Sequence, residues 1–510
     1  MRREERLVSR LAQYNQTDMY PFHMPGHKRL KGEAGAGARE MEFPNPFTID
    51  ITEIDGFDNL HHPEGILRES MEWAAGVYGA ARTYYLVNGS SSGILASVSA
   101  CVGHGGRILM ARNCHKSSYH GAYLNRMNTV YLYPQPVPEL GIQGGILPED
   151  VEKALKTYPD IRAVLVVSPT YDGIVSDIHK IAEIVHRAGL PLIVDEAHGA
   201  HFRYADEFPA SALEQGADLV IQSVHKTLPS LTQTALLHVG RGGEDGPRVD
   251  LARLERFLQI YQSSSPSYVF MASIENAVAV MEQLRAERGM EGNAIDRYVR
   301  RIRDMRERLG RMNCLKLVGE ELRGRYGVFD VDISKVVIAT GGAGISGAEL
   351  DRRLRERYHL EMEMCAAGYA TAITSVFDSG EGLLRLERAL MEIDGECAGK
   401  FPGTAGVPEA DKLPGTAREN SGHEFARAKS LMPIAEAMDG ETVQVELSGS
   451  CECISGEYIY VYPPGIPIIA PGEEISREVL DLVMDYMRKG LAVQGPKDQT
   501  LKFLNVVKRK

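Results

Sequence analysis

The stretch Gln222-Ser223-Val224-His225-Lys226-Thr227-Leu228-Pro229 decides how the rest of the sequence is interpreted. It follows directly on the apolar run Ala217-Asp218-Leu219-Val220-Ile221, and an earlier apolar run, Leu190-Pro191-Leu192-Ile193-Val194, ends at Asp195. A lysine just after one strand and an acid that ends another are the two groups an enzyme needs to hold pyridoxal 5′-phosphate. Lys226 would form the Schiff base, and Asp195 would keep the pyridine nitrogen protonated so that the ring accepts electrons.

Short β-rich runs alternate with helical patterns around these two residues. Continuous apolar strands separated by helices indicate an α/β domain with a mainly parallel sheet, covered by helices on both faces. In such sheets ligands bind beyond the carboxyl ends of the strands, where Asp195 and Lys226 both fall. The runs are Thr83–Val87, Arg107–Met110, Ala163–Val167, Leu192–Val194, Leu219–Ile221 and Ala235–Val239.

The length of 510 residues predicts several domains. We expect an N-terminal arm over residues 1–65, a large cofactor-binding domain over 66–330 and a small α/β domain over 331–399. A stretch rich in Gly, Pro, Ala and charge predicts an exposed linker over 400–422. A C-terminal α/β subdomain is predicted over 423–510.

The charge balance disfavours a nucleic-acid partner. The net charge is −12, from 57 basic and 69 acidic residues, whereas nucleic-acid binders are usually basic. An acidic protein suits a cationic substrate. No apolar run of about 18 residues predicts a membrane span, no secretory signal is recognised, and the seven cysteines suit a reducing cytoplasm.

A small, hydroxyl-rich turn, Asn88-Gly89-Ser90-Ser91-Ser92-Gly93, joins the first strand to a helical stretch. Such a turn offers hydroxyl groups, free backbone N–H groups and the positive end of a helix dipole, which together bind a phosphate. The alternative is an ordinary capped helix start, where Ser and Gly are also favoured. With Lys226 downstream we favour the phosphate site, with Ser90, Ser91 and Ser92 as its candidate ligands.

Two further motifs fall at the same sheet edge. In Arg112-Asn113-Cys114-His115-Lys116-Ser117, His115 follows a strand and can lie flat over the cofactor ring. In Asp195-Glu196-Ala197-His198-Gly199-Ala200-His201, Ala197 lets the ring approach the backbone and His198 can bond its phenolic oxygen. A zinc site is disfavoured because the HExxH spacing is missing, so no metal is expected.

The sequence also contains a possible dinucleotide-binding motif. Gly342-x-Gly344-x-x-Gly347 lies between a strand and a helix, with Glu361 and Glu363 about 20 residues further on, so the dinucleotide fingerprint is formally met. The unit before it is a single short strand without repeated βαβ alternation. We therefore interpret it as a turn and helix cap, and expect no NAD.

Three acidic residues are candidates for binding the cationic side chain of the substrate. Glu53 and Asp55 precede His61-His62-Pro63-Glu64-Gly65 in the arm. This polar group could bind a metal, but an acidic arm that reaches a neighbouring active site fits a cationic substrate better. Glu473 ends a rigid loop that begins at Tyr462-Pro463-Pro464-Gly465. Guanidinium and ammonium groups both pair with carboxylates, although only guanidinium forms a planar bidentate pair.

Six segments together resemble the ornithine/lysine/arginine decarboxylase family of fold type I pyridoxal-phosphate enzymes. They follow one another in the family's order and span nearly the whole chain. The sequence is similar to the shorter bacterial type, which includes arginine decarboxylases, and it lacks the receiver-like N-terminal domain of the large enterobacterial members. The segments are Pro21–Lys28, Asp58–Gly65, Arg112–Ser117, Asp195–His201, Gln222–Thr234 and Tyr462–Glu473.

The resemblance implies a role for each matching residue. Lys226 would be the Schiff-base lysine, Asp195 the partner of the pyridine nitrogen and His115 the group stacked on the ring. The segment Ser263–Tyr268, with Ser264, resembles a loop that crosses to the other subunit's phosphate, so a homodimer or a higher even-numbered homo-oligomer is implied. The phosphate would be surrounded by Ser90, Ser91, Ser223 and His225.

The expected reaction is decarboxylation of a basic L-amino acid with release of CO₂. Arginine is the first candidate, and lysine or ornithine the next. Lys226 or His225 would return a proton to Cα. Two alternatives stay open: an aminotransferase or aldolase of the same fold, because a fold does not fix the reaction, or an inert relative that binds and regulates a decarboxylase.

Overall fold

The computed structural model describes residues 6–30, 43–243, 246–287, 292–400, 427–461, 465–488 and 491–508. The predicted linker over 400–422 lies, beyond its first residue, outside them. Within these ranges no helix combines the length and the apolar character needed to cross a membrane.

In the described part of the chain, a seven-stranded sheet forms the centre of the large domain. Ala235–Val239 runs antiparallel to both neighbours, and the other strands are mutually parallel, so the predicted mainly parallel α/β fold is confirmed. The strand Asn128–Leu132 was not predicted, because this edge strand is mostly half-buried and carries Asn and Thr among its apolar residues. The order is Arg82–Leu86, Ala235–Val239, Leu219–Gln222, Leu192–Asp195, Ile161–Val167, Arg107–Ala111, Asn128–Leu132.

The two faces of this sheet are covered by different apolar cores. Successive strand residues point to opposite faces, and accordingly Tyr85 packs into one core while Leu86 packs into the other. The helix Ile178–Arg187 covers one face because its apolar residues Ile178, Ile181 and Val185 are buried in that core. Asp177 caps the helix by accepting from the Lys180 N–H at 3.0 Å. The other helices of the large domain are Ile66–Tyr78, Gly89–Val102, Lys116–Leu124, Pro148–Thr157, Val224–Thr227, Leu251–Tyr261 and Tyr268–Ala286.

A smaller sheet follows, with the described strands in the order Lys316–Leu317, Lys335–Ala339, Tyr369–Ile373 and Met364–Cys365. The arm is attached to this unit, since its strand Tyr20–Phe22 pairs in parallel with Leu360–Met362. Buried Lys28 reinforces the attachment by donating to the Ile373 carbonyl oxygen at 2.7 Å. The helices are Leu7–Asn15 and Pro46–Ile49 in the arm, then Ala294–Leu309, Gly347–Tyr358 and Gly380–Lys400.

The C-terminal part forms its own apolar core. Thr442–Glu446 pairs with Phe503–Val507, and a three-stranded sheet among the described residues has the order Ile466–Ile469, Ile459–Val461, Val493–Gln494. Its helices are Ile434–Asp439 and Arg477–Arg488.

Candidate active site

A cavity of about 810 Å³ opens at the carboxyl ends of the central strands. The large domain, the small domain, the arm and the C-terminal part all contribute to its wall. The sheet register explains why two predicted residues meet there. Ile221 pairs with Asp195 across neighbouring parallel strands, and the chain then turns into the helix Val224–Thr227, which carries Lys226. The predicted residues in the wall are Ser90, Ser91, His115, Asp195, Ala197, His198, His225 and Lys226.

Lys226 and Asp195 form the charged centre of this wall. Burial lowers the pKa of Lys226, and the negative charge of Asp195 partly offsets that effect. Burial raises the pKa of Asp195, while the Lys226 charge and a 3.1 Å hydrogen bond from the Ala197 N–H lower it. The Lys226 Nζ atom lies 3.0 Å from Nε2 of His198. Burial also lowers the pKa of His198 well below its usual value, so His198 is neutral at pH 7.

Two more histidines in the wall are neutral for the same reason. His115 is the N-cap of the helix Lys116–Leu124, and its Nδ1 accepts from the Ser117 N–H. Burial and the charge of Lys226 lower the pKa of His115 to about 3. Nδ1 of His225 lies 2.8 Å from the Thr234 carbonyl oxygen and therefore carries the proton. Burial lowers the pKa of His225 to about 4.

The serine turn opens the helix Gly89–Val102 beside the cavity. Its N-cap residue, Asn88, makes no side-chain hydrogen bond to the helix, so the first backbone N–H groups lack a side-chain cap and suit an anion. Ser90 and Ser91 are half-buried in the cavity wall. Ser92 instead turns back into its helix and donates to the Gly89 carbonyl oxygen at 2.8 Å.

Several buried polar atoms around the cavity lack a partner in the described chain. They include the Asn113 side-chain oxygen and Nδ1 of His198 in the wall, and the hydroxyl oxygen of Ser223, which is the N-cap residue of the helix that carries Lys226 but does not itself line the cavity. Unpaired buried polar atoms are rare in folded proteins and point to an absent ligand or water. The combination of a buried lysine, a buried acid, flanking histidines and an anion-binding turn fits pyridoxal 5′-phosphate. No group of three or more His, Cys, Asp or Glu in the described ranges is arranged to hold a metal.

The remaining predicted residues lie away from the cavity within this chain. Ser264 is exposed in a surface loop, whose neighbour Ser263 accepts from His61 at 2.8 Å through its carbonyl oxygen. Glu53 is half-buried and Asp55 is exposed in the arm, and neither lines the cavity. Their proposed contacts involve a second subunit or a substrate and stay predictions. For Glu473 the structure gives a specific partner.

Glu473 is joined to the large domain by a buried ion pair. Its Oε2 lies 2.9 Å from Nη2 of Arg112, and the two side chains are 1% and 9% exposed. Arg112 also donates to the carbonyl oxygens of Pro467 and Ile468 at 2.7 and 3.1 Å. The pair therefore fastens the C-terminal strand Ile466–Ile469 to the loop that carries His115.

Several polar residues of the wall were not predicted from the sequence, among them Tyr171, Asp172 and Glu363. Tyr171 and Asp172 follow the strand Ile161–Val167, and Glu363 lies between two short strands of the small domain. The hydroxyl of Tyr171 donates to Glu363, and its ring meets the His198 ring edge-on at 4.7 Å. Tyr171 and Asp172 could have been found from their place after a parallel strand, whereas Glu363 depends on the packing of two domains.

Sequence comparison agrees with this geometry. Residues 6–330 match the Orn/Lys/Arg decarboxylase major domain, and residues 420–494 match the C-terminal domain of the same family. The chain belongs to the Orn/Lys/Arg decarboxylase family. An arginine decarboxylase of Halalkalibacterium halodurans is 34% identical over 100% of this chain and 99% of its own length. An arginine decarboxylase of Bacillus subtilis is 32% identical over 99% and 98%, and a lysine decarboxylase of Pseudomonas aeruginosa is 24% identical over 93% and 74%.

Comparison with solved structures establishes the fold. A lysine decarboxylase of Francisella novicida superposes with a TM-score of 0.72 at 18% identity, over 99% of this chain and 84% of that chain. A serine palmitoyltransferase of Sphingomonas wittichii gives a TM-score of 0.53 at 14% identity, over 74% and 87%. The predicted fold type I architecture is confirmed. With the family match, the predicted class of enzyme, an amino-acid decarboxylase of the Orn/Lys/Arg group, is confirmed as well.

Proposed function

We propose that this protein is a pyridoxal 5′-phosphate-dependent decarboxylase of a basic L-amino acid, with arginine as the first candidate and lysine or ornithine the next. One observation carries the proposal: Lys226 and Asp195 are buried in one cavity at the ends of adjacent strands. The choice of arginine is supported by full-length relatives of that name, which are more similar than the relative named for lysine.

The wall residues divide into groups that would hold different parts of the coenzyme. Lys226 would hold its aldehyde carbon, Asp195 its ring nitrogen and His198 its phenolic oxygen. Ser90, Ser91 and the Ser223 hydroxyl are available for its phosphate, while His115 would cover one face of the ring. When bound, the coenzyme supplies an electron sink for the electron pair that remains at Cα after CO₂ leaves. The ring's positive charge would favour the ionised form of Asp195, against the effect of burial.

The proton that replaces CO₂ at Cα would come from Lys226. His225 was the other candidate, but with a pKa of about 4 it is neutral at pH 7 and has no acidic proton to give. The Lys226 Nζ atom is held at 3.0 Å from neutral His198, which orients the amine within the cavity. Burial lowers the pKa of Lys226, and a lysine with a pKa nearer neutrality is a better general acid.

The loop Ser263–Tyr268 supports a homodimer as the working form. Ser264 is exposed on the surface of this chain, where it is free to reach a second subunit's cofactor, while Tyr268 anchors the loop by donating to the Asp58 carbonyl oxygen at 2.5 Å. We also propose a cytoplasmic location, on the basis of the cysteine content and the small-molecule chemistry.

Replacing Lys226 by alanine tests the proposal. The purified protein should bind pyridoxal phosphate and release CO₂ from arginine, lysine or ornithine, and Lys226→Ala should lose nearly all turnover and the visible absorbance of the bound coenzyme. Lys153→Ala, at an exposed position, is the matched control and should keep both. Formation of a keto acid without CO₂ would instead indicate an aminotransferase, and a colourless protein would indicate an inert regulator.

A further inference from the structure

Among the described residues, three carboxylates line the cavity, and two of them are already engaged. Asp195 faces the charge of Lys226 and accepts from the Ala197 N–H. Glu363 uses both oxygens, since Oε1 accepts from the Tyr171 hydroxyl and Oε2 accepts from the Met24 N–H at 2.8 Å. The third carboxylate, Asp172, is engaged differently.

Asp172 is a buried carboxylate without a counter-charge. It is 7% exposed, its Oδ2 accepts from the Tyr369 hydroxyl at 3.3 Å, and its Oδ1 has no hydrogen-bond partner in the described chain. Burial raises the pKa of Asp172 to about 6, an effect that the Tyr369 bond only partly offsets. Burying a carboxylate is unfavourable unless donors or a cation compensate it, so this position is complementary to an incoming cation.

We infer that Asp172 receives the cationic end of the substrate side chain and thereby selects basic amino acids. The inference rests on the proposed function, because it assumes that the amino acid reacts at Lys226 in the same cavity. Tyr369, a small-domain residue in the cavity wall, would hold Oδ2 in place while the substrate's N–H groups donate to Oδ1. An alkylguanidinium or an alkylammonium fits this site, and a charge-assisted bond in a buried cavity is the stronger kind.

The cavity is large enough for both ligands. Its volume of about 810 Å³ lies in the upper part of the range for cofactor and small-molecule sites. Asp172 lies in the loop after the strand Ile161–Val167, and Lys226 lies in the short helix after the strand Leu219–Gln222, so they occupy separate parts of the same wall. A substrate with its α-amino group at Lys226 can therefore direct its side chain toward Asp172.

The test compares a cationic amino acid with a neutral analogue. In wild-type holoenzyme, the KM for arginine is compared with the inhibition constant of citrulline, in which a neutral urea replaces the guanidinium. Asp172→Asn should raise the KM for arginine on the order of 10²-fold and change citrulline binding by less than about threefold, so that the preference for the cation is lost. Asp206→Asn, at an exposed position outside the cavity, should change neither value.

Two further measurements separate this inference from its alternatives. Asp172→Glu keeps the charge and should keep the preference for arginine over citrulline even if kcat falls; equal behaviour of Asp172→Glu and Asp172→Asn overturns the inference. Equal weakening of arginine and citrulline by Asp172→Asn also overturns it, because that result indicates a structural role. Coenzyme absorbance and CO₂ release by the wild type report on the proposed function independently, so failure of that function is recognised before any variant is compared.

Discussion

Breaking the Arg112–Glu473 pair by Glu473→Gln should loosen the C-terminal part from the active-site wall. Both side chains are nearly buried, and removing one partner of a buried pair costs about 3–5 kcal/mol because the other charge is left uncompensated. The opening of the contact between the C-terminal part and the large domain should therefore become about 10²–10⁴-fold more frequent, since each 1.4 kcal/mol is a factor of ten.

Hydrogen exchange measures that opening directly. In Glu473→Gln, backbone amides of the strand Ile466–Ile469 should exchange faster by about the same factor. The matched control is Asp439→Asn, which breaks the exposed pair between Asp439 and Arg126. That pair also joins the C-terminal part to the large domain, but its side chains are 40% and 51% exposed, so its loss should cost at most about 1 kcal/mol. Equal exchange in the two variants would mean that burial adds nothing to the Arg112–Glu473 pair, and would contradict this prediction.

Two other predictions concern buried positions near the site. Burial raises the pKa of Glu196 to about 7, so the stability that this carboxyl group contributes is present below about pH 4.5 and is lost as the pH rises through 7. In urea unfolding between pH 4.5 and 8, the wild type should therefore lose about 3 kcal/mol of stability relative to Glu196→Gln. Parallel pH profiles of the two proteins would contradict this prediction. A Cβ at Gly26 would lie 2.5 Å from the Thr227 carbonyl carbon, so Gly26→Ala should displace the Lys226 segment and lower kcat/KM by about 10²-fold. Gly76→Ala, where a Cβ meets no atom within 4 Å, should leave kcat/KM unchanged, and an equal loss in both variants would exclude the proposed displacement.

The parts of the site that could be predicted are those whose position depends only on neighbouring residues in the sequence. Asp195 ends one short apolar strand and Lys226 follows another, and parallel strands bring such residues to one edge of a sheet. The serine turn and His115 were found by the same reasoning, because each directly follows a strand.

The parts that could not be predicted depend on contacts between distant segments. The strand Tyr20–Phe22 pairs with Leu360–Met362, and nothing in either triplet specifies the other. Glu363 was considered only with a dinucleotide fingerprint, since its place in the cavity wall is set by how the small domain packs on Tyr171. The ion pair of Glu473 with Arg112 could not be predicted, because another domain supplies Arg112; the role of Glu473 as a substrate ligand stays a prediction.

The role of Lys226 as the lysine that binds the coenzyme can be tested by locating the covalent attachment. The holoenzyme is treated with borohydride, which fixes pyridoxal phosphate irreversibly to the lysine that holds it, and the modified peptide is identified by mass spectrometry. We expect a single phosphopyridoxyl group on Lys226, in the cavity wall with Asp195. Attachment to a different lysine, or no attachment after incubation with the coenzyme, would contradict this expectation.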